Sequence, residues 1–292
     1  MRTIKYLSPT SYKLYCDDKD EFYRRYLSDT RRPREPQTRP MAVGSAFDAY
    51  VKASLQDRLL GVKDTFTTLF EKQVEPHNRD WARIHGKKCY DFYIECGAFA
   101  DLALILAKSD TTPKFEFEVE GLVSTEIGGA KLLGRPDCHF TLQGMEVILD
   151  WKINGYEATR TRSPMPGYTR IRPSGKMHKD CIVQKINGID INIAAKLEDL
   201  DVDWATQIAV YSWLCAGKVG ERCVAAIHQF TGPELRVAEH SCFVGAEFQQ
   251  SIFKHMVSVW EIVTSPHYFR ELTLEQSMER CAQLDEPEES LI

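Results

Sequence analysis

The sequence predicts an α/β fold in which helices precede, interrupt and follow one central β-sheet. Two changes of pattern support this class. Residues 8–108 favour helices, whereas the segment after Pro113 alternates charged and apolar residues, which is typical of a half-buried strand. Helical and strand patterns alternate again after residue 203. Without internal repeats, the chain is predicted to be a single domain over 1–292, with a mainly helical part (1–112), a core (113–265) carrying an insertion at about 154–203, and a C-terminal tail (266–292).

The composition is that of a soluble globular protein, with 43% hydrophobic and 27% charged residues among 292. A net charge of −5 argues against a protein that coats nucleic acid non-specifically, but it leaves room for an enzyme with one basic groove. The sequence contains neither an apolar run of membrane-spanning length nor a signal peptide. Nine irregularly spaced cysteines predict free thiols in a reducing compartment. We therefore expect a cytoplasmic protein without membrane partners.

The N-terminal part is predicted to form three helical regions. Ser8-Pro9 is a typical helix start, and the aromatic-rich segment 8–28 continues from it with a break near Asp17 and Asp18. A loop is expected over 31–40, where proline and arginine cluster. Further helical structure is expected over 41–60 and over 79–108.

The core is predicted to contain strands and two further helices. Strands are expected over 114–124, 130–142 and 145–153, and a hairpin is expected from 222–230 and 235–243. Helices are expected over 203–217, ending at a glycine, and over 246–265. Within the insertion, CIVQKINGIDINI predicts a small hairpin that turns at Asn187-Gly188.

A two-residue turn at Gln143-Gly144 would join two strands of the core as a hairpin. Facing residues then have numbers that sum to 287, so Asp137 lies opposite Asp150, with Cβ atoms about 4.5–5.5 Å apart. Lys152, two residues beyond Asp150, shares the same face of the sheet. The sequence thus predicts two acids and a lysine together on adjacent strands.

Two carboxylates at this separation repel each other unless a proton or a cation lies between them. Hard divalent ions such as Mg²⁺ take oxygen ligands and keep water on the substrate side. A lysine nearby can orient a water or offset charge on a phosphate. The alternative is a cross-strand salt bridge between Lys152 and one aspartate, which leaves the other aspartate unexplained.

The segments Gly134-Arg135-Pro136-Asp137 and Asp150-Trp151-Lys152 resemble the GxxD…(D/E)xK pattern of the PD-(D/E)XK nuclease superfamily, and most closely its RecB-type and lambda-exonuclease-like branch. The resemblance implies a restriction-endonuclease-like core with a central mixed β-sheet flanked by helices and a basic insertion after the catalytic strand. It also implies that Asp137 and Asp150 hold one or two Mg²⁺ or Mn²⁺ ions with the main-chain carbonyl of Trp151, and that Lys152 positions the attacking water.

Three other segments are similar to motifs of this branch, in the same order. DWATQIAVYSWLCAG resembles its QxxxY helix, which implies that Gln207 and Tyr211 orient the DNA strand; a plain helix surface is the alternative. VGSAFDAYV resembles its GxxxH helix, with Gly44 matching and Asp48 replacing the metal-binding histidine. The opening segment places Cys16 where some relatives have an iron–sulfur ligand, but with only Cys242 and Cys281 after residue 230 we expect no iron–sulfur cluster.

The strand before the hairpin carries Glu116 and Glu118. One of these two carboxylates is expected to complete the metal shell, and we favour Glu118.

The insertion is basic between residues 158 and 179, where it contains no acidic residue. Basic side chains with interleaved aromatic ones are suited to a phosphate backbone and unstacked bases. We therefore predict DNA contacts there; the alternative is a solvated surface loop without a binding role. The residues predicted to bind DNA are Arg160, Arg162, Arg170, Arg172 and Lys176.

The expected function is that of a metal-dependent deoxyribonuclease, as an exonuclease in DNA recombination, DNA repair or phage DNA processing. Its expected partners are DNA and either further copies of the chain or a recombination or replication protein. The main alternative is a non-cleaving DNA-binding or assembly protein that retains the nuclease fold. A small-molecule phosphodiesterase is a third alternative, against which the basic insertion argues.

Overall fold

The structure is a computed structural model. It describes residues 2–29, 34–115, 117–153, 162, 168–172, 181–186, 189–194, 201–220, 223–232 and 234–265, with the backbone alone at 168, 181–186 and 189–194. Three residues of the predicted site, Glu116, Arg160 and Lys176, lie outside the described residues, as does the predicted C-terminal tail.

The first helices begin and end where short polar residues can satisfy free backbone groups. Helix α1 (Pro9–Asp17) starts at a capping box in which Ser8 and Ser11 bond each other's backbone N–H. The helix is interrupted at Asp18, as predicted. The side chain of Asp18 caps α2 (Lys19–Phe22), which continues into a π-helical turn (Tyr23–Leu27). Helix α3 (Arg39–Leu60) is capped by Thr38 and ends at Gly61.

The helical region predicted over 79–108 is two helices, α5 (Arg79–Glu95) and α6 (Ala98–Ala107). They separate at Gly97, whose φ of 79° is left-handed and so cannot continue a right-handed helix. Helix α4 (Phe66–Gln73), which the sequence analysis did not predict, precedes them.

Within the described ranges, a mixed β-sheet of eight strands forms the centre. These strands are β1 (Lys114–Phe115), β4 (Cys138–Leu142), β5 (Met145–Ile153), β6 (Tyr168–Arg172), β7 (Cys181–Ile186), β8 (Ile189–Ala194), β9 (Cys223–Thr231) and β10 (Arg236–Phe243). They lie in the order β1-β4-β5-β9-β10-β6-β8-β7; β5 and β9 are parallel, and the other neighbouring pairs are antiparallel. The predicted α/β class, with a central mixed sheet flanked by helices, is confirmed.

The predictions of single strands over 114–124 and over 130–142 are wrong, because each segment is two strands in different sheets. Strands β2 (Val119–Thr125) and β3 (Gly128–Gly134) pair in a two-stranded sheet, whereas β1 and β4 belong to the central sheet. The second break is the one that concerns the site. The break falls on Arg135, Pro136 and Asp137, where proline has no N–H to donate to a ladder. Asp137 therefore lies just outside β4, at the point where the chain changes sheets.

The insertion contains three strands among its described residues. Part of it forms β6, which pairs with β10, and the hairpin predicted at Asn187-Gly188 is present as β7 and β8, with Ile186 opposite Ile189. The two turn residues lie outside the described part of the chain.

Helices cover both faces of the central sheet. Helices α7 (Val202–Ala216) and α8 (Ala246–Thr264) pack with α1 on one face, and α3, α5 and α6 pack on the other. Alternation along β5 sends Ile148 to the α7 face and Leu149 and Trp151 to the α3 face. Among the residues described, none of the helices is both long and apolar enough to cross a bilayer.

Candidate active site

The turn at Gln143-Gly144 sets the register of the hairpin. Both residues have positive φ, 52° and 71°, as a type I′ turn requires. Cys138 pairs with Leu149, so the predicted register, in which facing numbers sum to 287, is confirmed. Asp137 is the next residue before Cys138 and Asp150 is the next after Leu149, so the two aspartates meet where the ladder ends.

Asp150 is a buried carboxylate that is 5% exposed, and it contacts the ammonium group of Lys152. Burial raises the pKa of Asp150 above its usual range, and the charge of Asp137 raises this pKa further, while Lys152 opposes the rise. The predicted sharing of one face by Asp150 and Lys152 is thus confirmed. The acid pair forms an environment in which added positive charge is favourable.

Asp137 is held at the end of the hairpin by two other groups. Its Oδ2 accepts a hydrogen bond of 3.0 Å from the main-chain N–H of Trp151, and its Oδ1 lies 3.7 Å from Nζ of Lys52. The salt bridge considered as an alternative does exist between Lys152 and Asp150, and the other aspartate has a cationic neighbour of its own.

Lys152 is oriented by helix α7. Its Nζ donates a 2.6 Å hydrogen bond to Oε1 of Gln207, and Nε2 of Gln207 donates a 3.0 Å bond to the hydroxyl of Tyr211. Gln207 and Tyr211, the two side chains predicted to orient DNA, therefore form a hydrogen-bonded chain that ends at the ammonium group of Lys152.

Gly134 allows this helix to approach the hairpin. A Cβ atom at Gly134 would lie 2.6 Å from Cδ1 of Leu214 and 2.9 Å from Cδ1 of Tyr211, closer than side chains tolerate. The glycine of the GRPD segment therefore has a packing reason, because it gives Tyr211 its place against β3.

Helix α3 brings Asp48 and Lys52 to the other side of the acid pair. Nζ of Lys52 lies 2.7 Å from Oδ2 of Asp48, which also accepts a 2.9 Å hydrogen bond from Nε2 of Gln73. The sequence analysis missed Lys52. The available signal was its spacing of four from Asp48, which places both on one helix face, beside the buried residues Val51 and Leu55.

Glu118, the favoured third carboxylate, pairs with the guanidinium of Arg135, and both side chains are more than half exposed. Its predicted part in the metal shell stays a prediction.

Of the basic residues predicted to bind DNA, Arg162 lies close to the site. Its main-chain N–H donates a 3.0 Å hydrogen bond to Oε1 of Gln229, which is buried on β9 directly beside Lys152 in the parallel register. Its Nη1 lies 3.3 Å from Oδ2 of Asp201, the N-cap of α7, and its side chain is 59% exposed.

Arg170 and Arg172 lie elsewhere, near α6. The side chain of Arg172 is 7% exposed, with Nη2 2.5 Å from Oδ2 of Asp101 and Nε 2.9 Å from Oε1 of Glu239. The guanidinium of Arg172 is already paired with two carboxylates, which favours a structural role, and its contact with DNA stays a prediction. Arg170 is more exposed and shares Asp101 at 3.3 Å.

A cleft of about 570 Å³ opens at Lys152, between α1 and α7. Its lining includes Tyr12, Lys13, Lys152, Thr206 and Gln207. A smaller cavity of about 300 Å³ lies on the α6 side of the sheet; of the predicted site residues it includes Arg170 and Arg172. Of these two, the first reaches the hairpin, through Lys152.

The donor set fits a hard divalent ion. No three His, Cys, Asp or Glu side chains converge as a metal site within the described ranges. Mg²⁺ does not require this, because it is usually bound through one or two carboxylates together with water and substrate phosphates. Asp137, Asp150 and the Trp151 carbonyl are oxygen donors of this kind. A cation would favour the charged form of Asp150, whose pKa is raised first by burial and then by the charge of Asp137.

Comparison with known proteins gives distant likenesses. No family model matches the chain, and no curated protein matches it. Among solved structures, it is similar to a "Putative exonuclease" from Eubacterium rectale, with 15% identity over 91% of this chain and 83% of that chain and a TM-score of 0.48. It is also similar to a protein named SSO0001, with 10% identity over 89% of this chain and 96% of that chain and a TM-score of 0.28.

Proposed function

We propose that this chain is a metal-dependent DNA nuclease of the PD-(D/E)XK type, which hydrolyses phosphodiester bonds as an exonuclease. The observation that carries the proposal is the contact of Lys152 with Asp150 on one face of β5, beside Asp137 and at the wall of an open cleft. Two acids and a lysine in this arrangement suit phosphodiester hydrolysis, because oxygen donors for a metal and a cation for the phosphate lie together.

Asp137, Asp150 and the Trp151 carbonyl would hold the Mg²⁺ or Mn²⁺ ion, which supplies polarisation of the scissile phosphate and stabilisation of the leaving oxygen. The chain's own groups do the rest. Gln207 keeps the Lys152 ammonium at the cleft, where it can orient the attacking water and offset charge that develops on the phosphate. Arg162, exposed beside this face, can contact the DNA backbone.

One observation favours a second candidate, a DNA-binding or assembly protein that does not cut. Each aspartate of the pair already has an ammonium neighbour, Lys152 for Asp150 and Lys52 for Asp137. A site neutralised by its own lysines could persist without a metal.

Cleavage assays separate the two candidates. The protein is incubated with linear and circular DNA, single- and double-stranded, in Mg²⁺, Mn²⁺ or EDTA. The nuclease proposal expects metal-dependent degradation of linear DNA that is lost in Asp150→Asn and in Lys152→Met. The matched controls Asp91→Asn and Lys87→Met, an exposed ion pair on α5, keep full activity. Metal-independent binding without cleavage, or full activity in both site variants, would contradict the proposal.

A further inference from the structure

Lys52 is an uncommon residue for its position. Its side chain is 2% exposed, and its ammonium group lies 2.7 Å from Oδ2 of Asp48 and 3.7 Å from Oδ1 of Asp137. A buried ammonium is costly unless it is paired, and here its partners are carboxylates from two elements, α3 and the break before β4. Lys52 therefore links the helix to the hairpin through charge.

The stem of Lys52 has little freedom to leave this position. Its Nζ lies 6.0 Å from the ring centroid of Trp151, the residue whose main-chain N–H binds Asp137. The side chain is thus enclosed by the strand that carries Asp150. The ammonium group of an exposed lysine can leave its partner and be solvated by water. A buried ammonium group stays beside its counter-charges, because no water is there to replace them.

The charges of the site limit how many cations it can take. Three carboxylates, Asp48, Asp137 and Asp150, face two ammonium groups, Lys52 and Lys152, which leaves one net negative charge. One divalent ion at Asp137 and Asp150 is enough to offset it. A second divalent ion between Asp48 and Asp137 would have to lie against the Lys52 ammonium, where repulsion is strong because the surroundings are buried.

We infer that Lys52 is a positioning residue whose ammonium takes the place of a second metal ion between Asp48 and Asp137, so that the site binds a single divalent cation. The inference rests on the proposed function, because it concerns the same metal site. Asp48 is then a partner of Lys52 and not a metal ligand.

The test is the number of Mn²⁺ ions bound, measured by calorimetric titration and by electron paramagnetic resonance. We expect one ion per chain in the wild-type protein and in Lys52→Arg, which keeps the charge. Lys52→Met removes the ammonium and should bind two ions with a spin-coupled spectrum. Adding Asp48→Asn to Lys52→Met should return the count to one.

Several outcomes overturn the inference. Two ions in the wild-type protein, one ion in folded Lys52→Met, or loss of the ion in Asp48→Asn alone would each do so. If Lys52→Met does not fold by near-ultraviolet circular dichroism, the wild-type and Asp48→Asn counts still decide. A wild-type protein that binds no Mn²⁺ and cuts no DNA contradicts the proposed function itself, whereas one that cuts DNA with two ions contradicts only the inference.

Discussion

Nζ of Lys152 donates a 2.6 Å hydrogen bond to Oε1 of Gln207, a residue 55 positions away on another element. The same ammonium contacts Asp150, so it has one charged and one neutral partner. Because Gln207 is in turn held by Tyr211, the helix fixes which way the lysine points. We therefore expect Gln207 to orient the lysine, and the direct contact with DNA that the motif suggests stays the alternative.

Replacing Gln207 should therefore affect turnover more than binding. In Gln207→Leu, Lys152 loses its neutral acceptor and is left to Asp150, so we expect kcat to fall by about 10- to 100-fold, as is typical when a supporting hydrogen bond is lost. KM should change little. Tyr211→Phe removes only the outer bond and should have a smaller effect in the same direction. Steady-state kinetics on linear DNA check this, and a raised KM with unchanged kcat would restore the direct DNA contact.

Arg162 and Arg172 should behave oppositely in DNA binding. Arg162 is exposed beside the site, so Arg162→Ala should weaken binding and reduce the slope of log affinity against log salt by about 1. Fluorescence anisotropy in an Asp150→Asn background measures this without cleavage.

Arg172→Met is the matched comparison. It should leave the salt slope unchanged but destabilise the fold by about 3 kcal/mol, because Asp101 and Glu239 lose the cation buried between them. Urea unfolding gives the stability. A reduced salt slope in Arg172→Met, or an unchanged salt slope in Arg162→Ala, would contradict this expected difference between the two arginines.

The two glycines of the family-like segments should respond differently to alanine. Gly134→Ala puts a Cβ against Leu214 and Tyr211, so we expect a loss of about 1–3 kcal/mol from overpacking. At Gly44, inside α3, an added Cβ would meet Ile153 at 3.5 Å or more, an ordinary contact, and alanine favours the helix by about 0.5–1 kcal/mol. Thermal unfolding of both variants checks the contrast, which equal losses would contradict.

The free energy of unfolding should decrease in mild acid, partly because of His228. Burial, with smaller contributions from Arg172 and His240, lowers the pKa of His228 well below its usual range, and its Nδ1 lies 2.5 Å from the hydroxyl of Tyr93. Between the unfolded pKa of about 6.5 and this lower value, the unfolded chain binds a proton that the folded one does not. The contribution is therefore present above about pH 6.5 and is lost as the pH falls, by at most about 1.4 kcal/mol per pH unit.

His228→Gln should flatten this dependence. Urea unfolding at pH 7 and pH 5 gives the free energy of unfolding for both proteins, and the difference between the two pH values should be smaller in the variant. Equal differences would show that other groups account for the whole acid sensitivity.

The sequence by itself determined the hairpin that holds Asp137, Asp150 and Lys152. A two-residue turn fixes register, and strand alternation fixes the face, so both follow from residues within twenty positions of one another. The start of α1 and the end of α7 followed in the same way from the local signals Ser8 and Gly217, whereas helix α4, the break between α5 and α6 and the break of the strand at Pro136 were not predicted.

Only the tertiary structure decided the partners of these groups. Lys52 reaches Asp137 because α3 packs against β5, and Arg172 is buried because β6 aligns beside β10 opposite α6. Neither contact has a trace in local periodicity, since each joins residues more than seventy positions apart. A charged side chain takes its function from the charges that packing brings near it, and those are set by the assembly of the whole sheet and its helices.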